Sequence, residues 1–174
     1  CVGRPVPGNT VRIIGIDDGP IAGWSDALLA CSGQVGEITV AGPTATDSYF
    51  NRDAQTALAK IRERLPDGSE RVVHRMGDLG WLDADGRLWF CGRKSQRVVV
   101  DAQTTLCTEQ VEPVFNTHPR VRRTALVGVG ARGVPGALSR GHTDDRAARF
   151  PLHHAPNHRR ALAGRLRRRA QRAG

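Results

Sequence analysis

One stretch, His74 to Val100 (HRMGDLGWLDADGRLWFCGRKSQRVVV), limits the possible folds of this chain more than any other. Asp85-Gly86 separates two aromatic-rich runs, and Asp-Gly flanked by apolar residues is a strong local hairpin signal because it tolerates the positive φ of a two-residue turn. The pattern predicts a Gly-Asp turn at Gly77 and Asp78, a short strand from Gly80 to Leu82, the tight turn, and a second strand from Arg87 to Cys91. A polar break from Gly92 to Gln96 then precedes another apolar strand. Such a ribbon sets a carboxylate, Asp78, and a guanidinium, Arg93, on neighbouring backbone, a pairing suited to holding a ribose and a phosphate together. Trp81 and Trp89, which alternate with Leu82 and Leu88, are expected to pack in the core.

The flanking sequence supplies further elements. Val11 to Ile16 reads as a strand closed by the turn Asp17-Asp18-Gly19-Pro20, Trp24 to Ser32 as a buried loop or single helical turn, and Gly36 to Gly42 as an antiparallel strand with period-2 alternation. Asn51 is placed to cap a helix whose apolar stripe is Ala54, Ala57, Leu58, Ile61 and Leu65, with Lys60, Arg62, Glu63 and Arg64 on a solvated face and Pro66-Asp67-Gly68 as its stop. Val98 to Val100 predicts a strand, Thr108 to Asn116 a short helix with Pro113 as a kink or late start, and Arg122 to Val129 a further strand.

Charge divides the chain. The formal net charge of +9 comes entirely from residues 131–174, which hold eleven Arg and two Asp, while residues 1–130 balance fifteen basic against fifteen acidic side chains. A basic tail poor in Val and Ile cannot bury enough apolar surface to offset the entropy of ordering it, so disorder is expected there, with only Arg159 to Arg172 able to form a helix. Its single aromatic, Phe150, offers no stacking platform, so any nucleic-acid binding would be sequence-blind and salt-dependent. Cys1, Cys31, Cys91 and Cys107 form no C-x-x-C pair and have no His at metal spacing, which predicts reduced thiols and no metal site. With no apolar run near the ~18 residues of a membrane span and no targeting pattern at the start, the expected compartment is the cytoplasm.

Met76-Gly77-Asp78-Leu79-Gly80, then Asp85-Gly86-Arg87-Leu88, then Gly92-Arg93, resemble the paired nucleotide motifs of the adenylate-forming superfamily of acyl-CoA synthetases, luciferases and peptide-synthetase adenylation domains. Gly36-Glu37 through Gly42 and Tyr49-Phe50-Asn51 match scaffold segments of the same superfamily, with Ser48 where glycine is usual. Within it, LWFCGRKSQRV followed by TEQVEPVFNTHPRV is most similar to the β-lactone synthetases of bacterial long-chain olefin synthesis.

The resemblance implies a mixed α/β (α+β) fold in three parts. Residues 1–92 would be the C-terminal portion of the large AMP-binding domain, with antiparallel, distorted-barrel strands and a helix. Residues 93–130 would be the hinge and start of the small C-terminal α+β domain, and 131–174 the Arg-rich tail. It also implies roles: Asp78 accepting from the ribose hydroxyls, Arg93 reaching ribose and phosphate oxygens, Phe90 against the nucleotide, and Lys94 and Ser95 at the hinge. Each has a structural alternative: a turn cap for Asp78, a surface ion pair for Arg93 and core packing for Phe90.

The implied chemistry is attack of a fatty or 2-alkyl-3-hydroxy acid carboxylate on Mg-ATP to give an acyl-adenylate. ATP or AMP and Mg²⁺ belong to the parent family, and enzymes of the olefin pathway are possible partners. Asp101-Ala102-Gln103-Thr104-Thr105 stands where CoA ligases carry a glycine-rich pantetheine loop, which favours β-lactone formation over a CoA thioester. Lys94 is the last lysine in the chain, so the family's adenylating lysine has no counterpart and no catalytic residue is expected in this piece. The abrupt change to Arg-rich sequence after Gly130 suggests a reading-frame change. A fatty-acid CoA ligase, and a non-catalytic truncated product or weak basic nucleic-acid binder, are the competing expectations.

Overall fold

A computed structural model describes residues 1–101 and 103–128 of the protein. Its elements are β1 (Thr10–Ile14), β2 (Gly36–Ala41), α1 (Asp53–Ala59), β3 (Lys60–Arg64), β4 (Glu70–Leu82), β5 (Leu88–Arg93), β6 (Val98–Val99), β7 (Thr105–Leu106) and α2 (Thr108–Asn116), with single 3₁₀ turns at Asp26–Leu28 and Lys94–Gln96. The fold is mixed α/β with antiparallel sheets, as expected. The expectations for the 131–174 tail, including a helix from Arg159 to Arg172, lie outside the described residues.

Strand β4 organises the larger sheet. Its first half pairs with β3 on one side and its second half with β5, while β2 runs along the other edge and carries β1 beyond it. The first half meets a core of Ile14, Ala41, Ile61 and Val73, closed by Ile21, Trp24 and Leu28. The second half meets another of Leu79, Cys91 and Cys107, closed by Ile16, Val35 and Trp81. Burying these apolar groups supplies the main drive for folding.

Between the two cores the register slips. Glu37 faces Leu79 and Thr39 faces Arg75, so four residues of β4 advance against two of β2. The expected Gly77-Asp78 turn is therefore a bulge within one long strand. Gly77, at φ +68, takes the left-handed conformation that the bulge demands.

The hairpin forms, but its turn runs from Asp83 to Gly86 with Ala84 and Asp85 at the centre, and Gly86 alone takes a positive φ, +72. Asp83 ties it together, accepting from the Asp85 and Arg87 amides through Oδ1 and from Arg87 Nε and Trp89 Nε1 through Oδ2. These donors, Trp89 foremost, hold its carboxyl far below the usual range. Trp81 and Trp89 face each other in register and stack at 5.6 Å between centroids, each half-buried.

Several expectations are overturned. The helix predicted through Leu65 stops at Ala59 and continues as β3, and α1 has no buried residue, so the stripe Ala54, Ala57 and Leu58 is not a core face. Asn51 is not the cap; it sits at φ +51, and Arg52 occupies the cap position without a side-chain hydrogen bond. The reason is non-local: pairing with β4 puts Lys60, Ile61 and Glu63 inside, where Glu63 finds Arg12 and Arg71, so Lys60 and Glu63 are not on a solvated face. Among the described residues, Arg122 to Val127 is not a strand either. Its amides are taken by α2 side chains, with Thr124 N donating to Asn116 Oδ1 and Leu126 N to Glu112 Oε1, both at 2.8 Å. The helix Thr108–Asn116 forms with the expected bounds and accommodates Pro113.

Candidate nucleotide site

Asp78 ends the β4 bulge and Arg93 ends β5, and the register places them directly opposite each other. Arg93 Nη1 lies 2.9 Å from Asp78 Oδ1 in an ion pair. The angle does not make it a hydrogen bond, and Oδ1 is a buried oxygen with no hydrogen-bond donor. Asp78 is 16% exposed and Arg93 61%, so an acceptor held inside the sheet faces a cation that reaches into solvent. The charge on that oxygen is offset by the Arg93 guanidinium rather than by an aligned donor.

Beside this pair lies a polar knot. Glu37 is 1% exposed, and its Oε2 receives Arg75 Nη2 at 2.7 Å, Arg75 Nε at 3.1 Å and Lys94 Nζ at 3.0 Å. Arg75 also donates to the carbonyls of Asp17, Gly19 and Leu58, and Lys94 donates to the Asp17 carbonyl at 2.8 Å. Arg97 continues the knot, pairing with Asp18 at 2.6 Å and donating to the Lys94 carbonyl. The Arg97 guanidinium, with smaller help from Lys94 and Arg75, holds the Asp18 carboxyl below its usual range.

A cavity of about 670 Å³ opens next to the knot, floored by Glu37, Arg75 and Lys94 and rimmed by Tyr49, Phe50, Leu58 and Met76. Gly77 and Lys94, the chain neighbours of Asp78 and Arg93, line it. Phe90 lies half-buried opposite Gly80 and Ser95 sits in the 3₁₀ turn; these two, like Asp78 and Arg93, do not line the cavity, which Lys94 alone of the five residues singled out from sequence does. Of the five residues singled out from sequence, the structure brings Asp78 and Arg93 into contact and seats Lys94 beside them. It adds Glu37, Arg75 and Arg97, which sequence reasoning left as scaffold or did not weigh. A charged residue within the buried strand GEITVA was the available signal, since a buried carboxylate requires a cation.

Among the described residues no group of three His, Cys, Asp or Glu could hold a metal ion. Nor is any described helix long and apolar enough to cross a membrane.

The mixed fold with its antiparallel sheets matches solved structures of adenylate-forming enzymes. It superimposes on an amide bond synthetase of Marinactinospora thermotolerans with a TM-score of 0.59, at 30% identity over 93% of this chain and 29% of that one. It also matches O-succinylbenzoate coenzyme A synthetase of Bacillus subtilis, a structure in complex with AMP, with a TM-score of 0.58 over 80% of this chain and 24% of that one. That likeness, at 24% identity, concerns fold alone.

In sequence, the chain is 68% identical over 133 residues to the olefin β-lactone synthetase of Xanthomonas campestris pv. campestris, covering 76% of this chain and 24% of the relative. It is 64% identical over 157 residues to the olefin β-lactone synthetase of Stenotrophomonas maltophilia, covering 87% and 28%. The chain thus spans about a quarter of the length of these curated relatives. No family model matches it.

Proposed function

We propose that this chain is the ribose-clasping segment of an ATP-dependent adenylate-forming ligase that activates a fatty or 2-alkyl-3-hydroxy acid as its acyl-adenylate, with β-lactone formation favoured over CoA thioester formation. The observation that carries the reading is the opposed Asp78–Arg93 pair, a largely buried carboxylate facing an exposed guanidinium. In this reading Asp78 accepts from the ribose hydroxyls and Arg93 turns its exposed guanidinium toward ribose and phosphate oxygens. Phe90 is read as contributing apolar surface near the base. Residues 1–92 act as the large-domain portion and residues 93–130 as the hinge, at Lys94 and Ser95, and the start of the small domain. Magnesium would arrive on the nucleotide's phosphates, in keeping with its preference for few protein ligands, and the acid substrate and any olefin-pathway partner would engage other parts of the whole protein.

Preference for the β-lactone outcome rests on two supports. The relatives named above are olefin β-lactone synthetases, and the β6–β7 connection closes tightly, with Val100 N donating to the Thr104 carbonyl at 2.9 Å and Gln103 N to Asp101 Oδ1 at 2.9 Å. The segment Asp101-Ala102-Gln103-Thr104-Thr105 also supplies no glycine for a pantetheine-lining loop. A fatty-acid CoA ligase is the second reading, supported by weaker similarity to a phenylacetyl-CoA ligase of Aspergillus niger at 29% identity.

The test is titration of AMP into the ¹⁵N-labelled chain. Amide shifts are expected around Asp78 and Arg93, and Asp78→Asn and Arg93→Met should each weaken binding by about tenfold or more, the cost of a lost charge-assisted contact. Shifts confined to other strands, or an affinity unchanged in Asp78→Asn, would remove the reading.

A further inference from the structure

Arg93 needs something to aim it. Its side chain is 61% exposed, and an ion pair so open to water contributes too little to hold a long flexible side chain in one pose. The next residue is fixed. Lys94 is 16% exposed, and its Nζ bonds both Glu37 Oε2 and the Asp17 carbonyl.

Glu37 is itself immobile. It is 1% exposed, sits in the interior of the sheet between β1 and β4, and is already held by two Arg75 nitrogens. In register it faces Leu79, the residue after Asp78. Both arms of the clasp are therefore tied to one carboxylate, β4 through Arg75 just ahead of Asp78 and β5 through Lys94 just past Arg93. The Arg97–Asp18 pair, with Arg97 Nη1 donating to the Lys94 carbonyl, braces the far side of the same turn.

We propose that Lys94 is a positioning residue of the nucleotide clasp: by anchoring the chain to Glu37 and the Asp17 carbonyl, it fixes the backbone from which the Arg93 guanidinium reaches Asp78 and a bound nucleotide. The proposal rests on the reading of Asp78 and Arg93 as nucleotide ligands. Lys94 does not itself need to touch nucleotide, because its ammonium is committed to buried acceptors. Removing it leaves Glu37 paired with Arg75, so the sheet interior keeps its charge balance.

The experiment uses the full 174-residue chain with Lys94→Met and Lys94→Arg. Order of the Arg93 Nε–H bond is measured first by ¹⁵N relaxation without nucleotide, and AMP affinity second by titration. In Lys94→Met the Arg93 order parameter should fall and AMP affinity drop about three- to tenfold, while Lys94→Arg, whose guanidinium can still reach Glu37, retains both. In an Arg93→Met background, Lys94→Met should add nothing, a coupling that a merely structural role would not produce. An unchanged Arg93 order parameter, or an affinity loss equal with and without Arg93, overturns the proposal. If the unaltered chain binds no AMP, the nucleotide reading falls, and the Arg93 order parameter still decides whether Lys94 positions it. Should Lys94→Met fail to fold, Lys94→Gln, which keeps a donor for the Asp17 carbonyl but no charge for Glu37, carries the same comparison.

Discussion

Glu63 shows how one side chain, placed on a solvated helix face by its sequence spacing, becomes a structural anchor. Arg12 grips both its oxygens at 2.7 and 2.6 Å and Arg71 adds a third contact at 2.7 Å, while the Arg12 guanidinium also stacks 3.5 Å from the Trp24 ring centre. Donation from Arg12 first, and from Arg71 after it, outweighs burial and lowers the carboxyl from 4.5 to about 2. A depressed carboxylate contributes stability that is fully present above its unfolded value and lost as pH falls toward its folded one. The window is therefore pH 4.5 down to about 2. Glu63→Gln should destabilise the chain by about 2 kcal/mol at pH 7 in urea unfolding. That difference should shrink by about 1 kcal/mol between pH 5.5 and 3.5, because the unfolded carboxyl takes up its proton first. A gap that stays constant with pH would mean that Glu63 contributes through packing rather than charge.

At the scale of elements, the contact between α2 and β5 joins the helix to the larger sheet. Gly92 makes that approach possible: at φ +124, a Cβ there would lie 2.2 Å from Thr108 Oγ1 at the first turn of α2. The same docking hides Cys91 and Cys107, each 2% exposed, and burial pushes the Cys91 thiol up to about 11. Gly92→Ala should cost about 2–4 kcal/mol through backbone strain and the clash. It should also turn a chain with two fast-reacting thiols, the exposed Cys1 and Cys31, into one with four. Unchanged thiol reactivity in that variant would show that α2 is not levered off β5.

Elements whose signals are local were legible in the sequence. Asp85-Gly86 fixed the hairpin, GEITVA the strand β2, and Thr108 to Asn116 the bounds of α2. Elements decided by distant partners were not. Ile61 fits a helical stripe as well as a strand, and only pairing with Val73 of β4 decides between them. Gly77-Asp78 reads equally as turn or bulge until β2 lies alongside. In the site, Asp78 and Arg93 were visible because a hairpin relates them. Glu37 stands 38 residues from Arg75 and 57 from Lys94, separations at which spacing carries no information.

At the scale of the whole molecule, the arrangement of cations limits what these residues can do together. Transfer of an adenylyl group builds negative charge on phosphate oxygens, and its rate depends on preorganised cations to receive that charge. Of the cationic groups near the pair among the described residues, Arg75 and Lys94 are committed to Glu37 and backbone carbonyls and Arg97 to Asp18, while the exposed Arg93 guanidinium and Arg52, which lines the cavity, can face a phosphate. Two solvent-exposed arginines can help bind a nucleotide, but the buried, preorganised cations beside them are already committed and cannot balance a departing pyrophosphate. The chain should therefore bind AMP through Asp78 and Arg93 yet exchange labelled pyrophosphate into ATP, with a hydroxy-fatty acid present, no faster than a heat-killed control. Exchange above that control would show that cations beyond the described residues complete the site within this same polypeptide. Binding without exchange would mark these residues as the part of the ligase that holds adenosine while other parts of the protein supply the charge for the reaction.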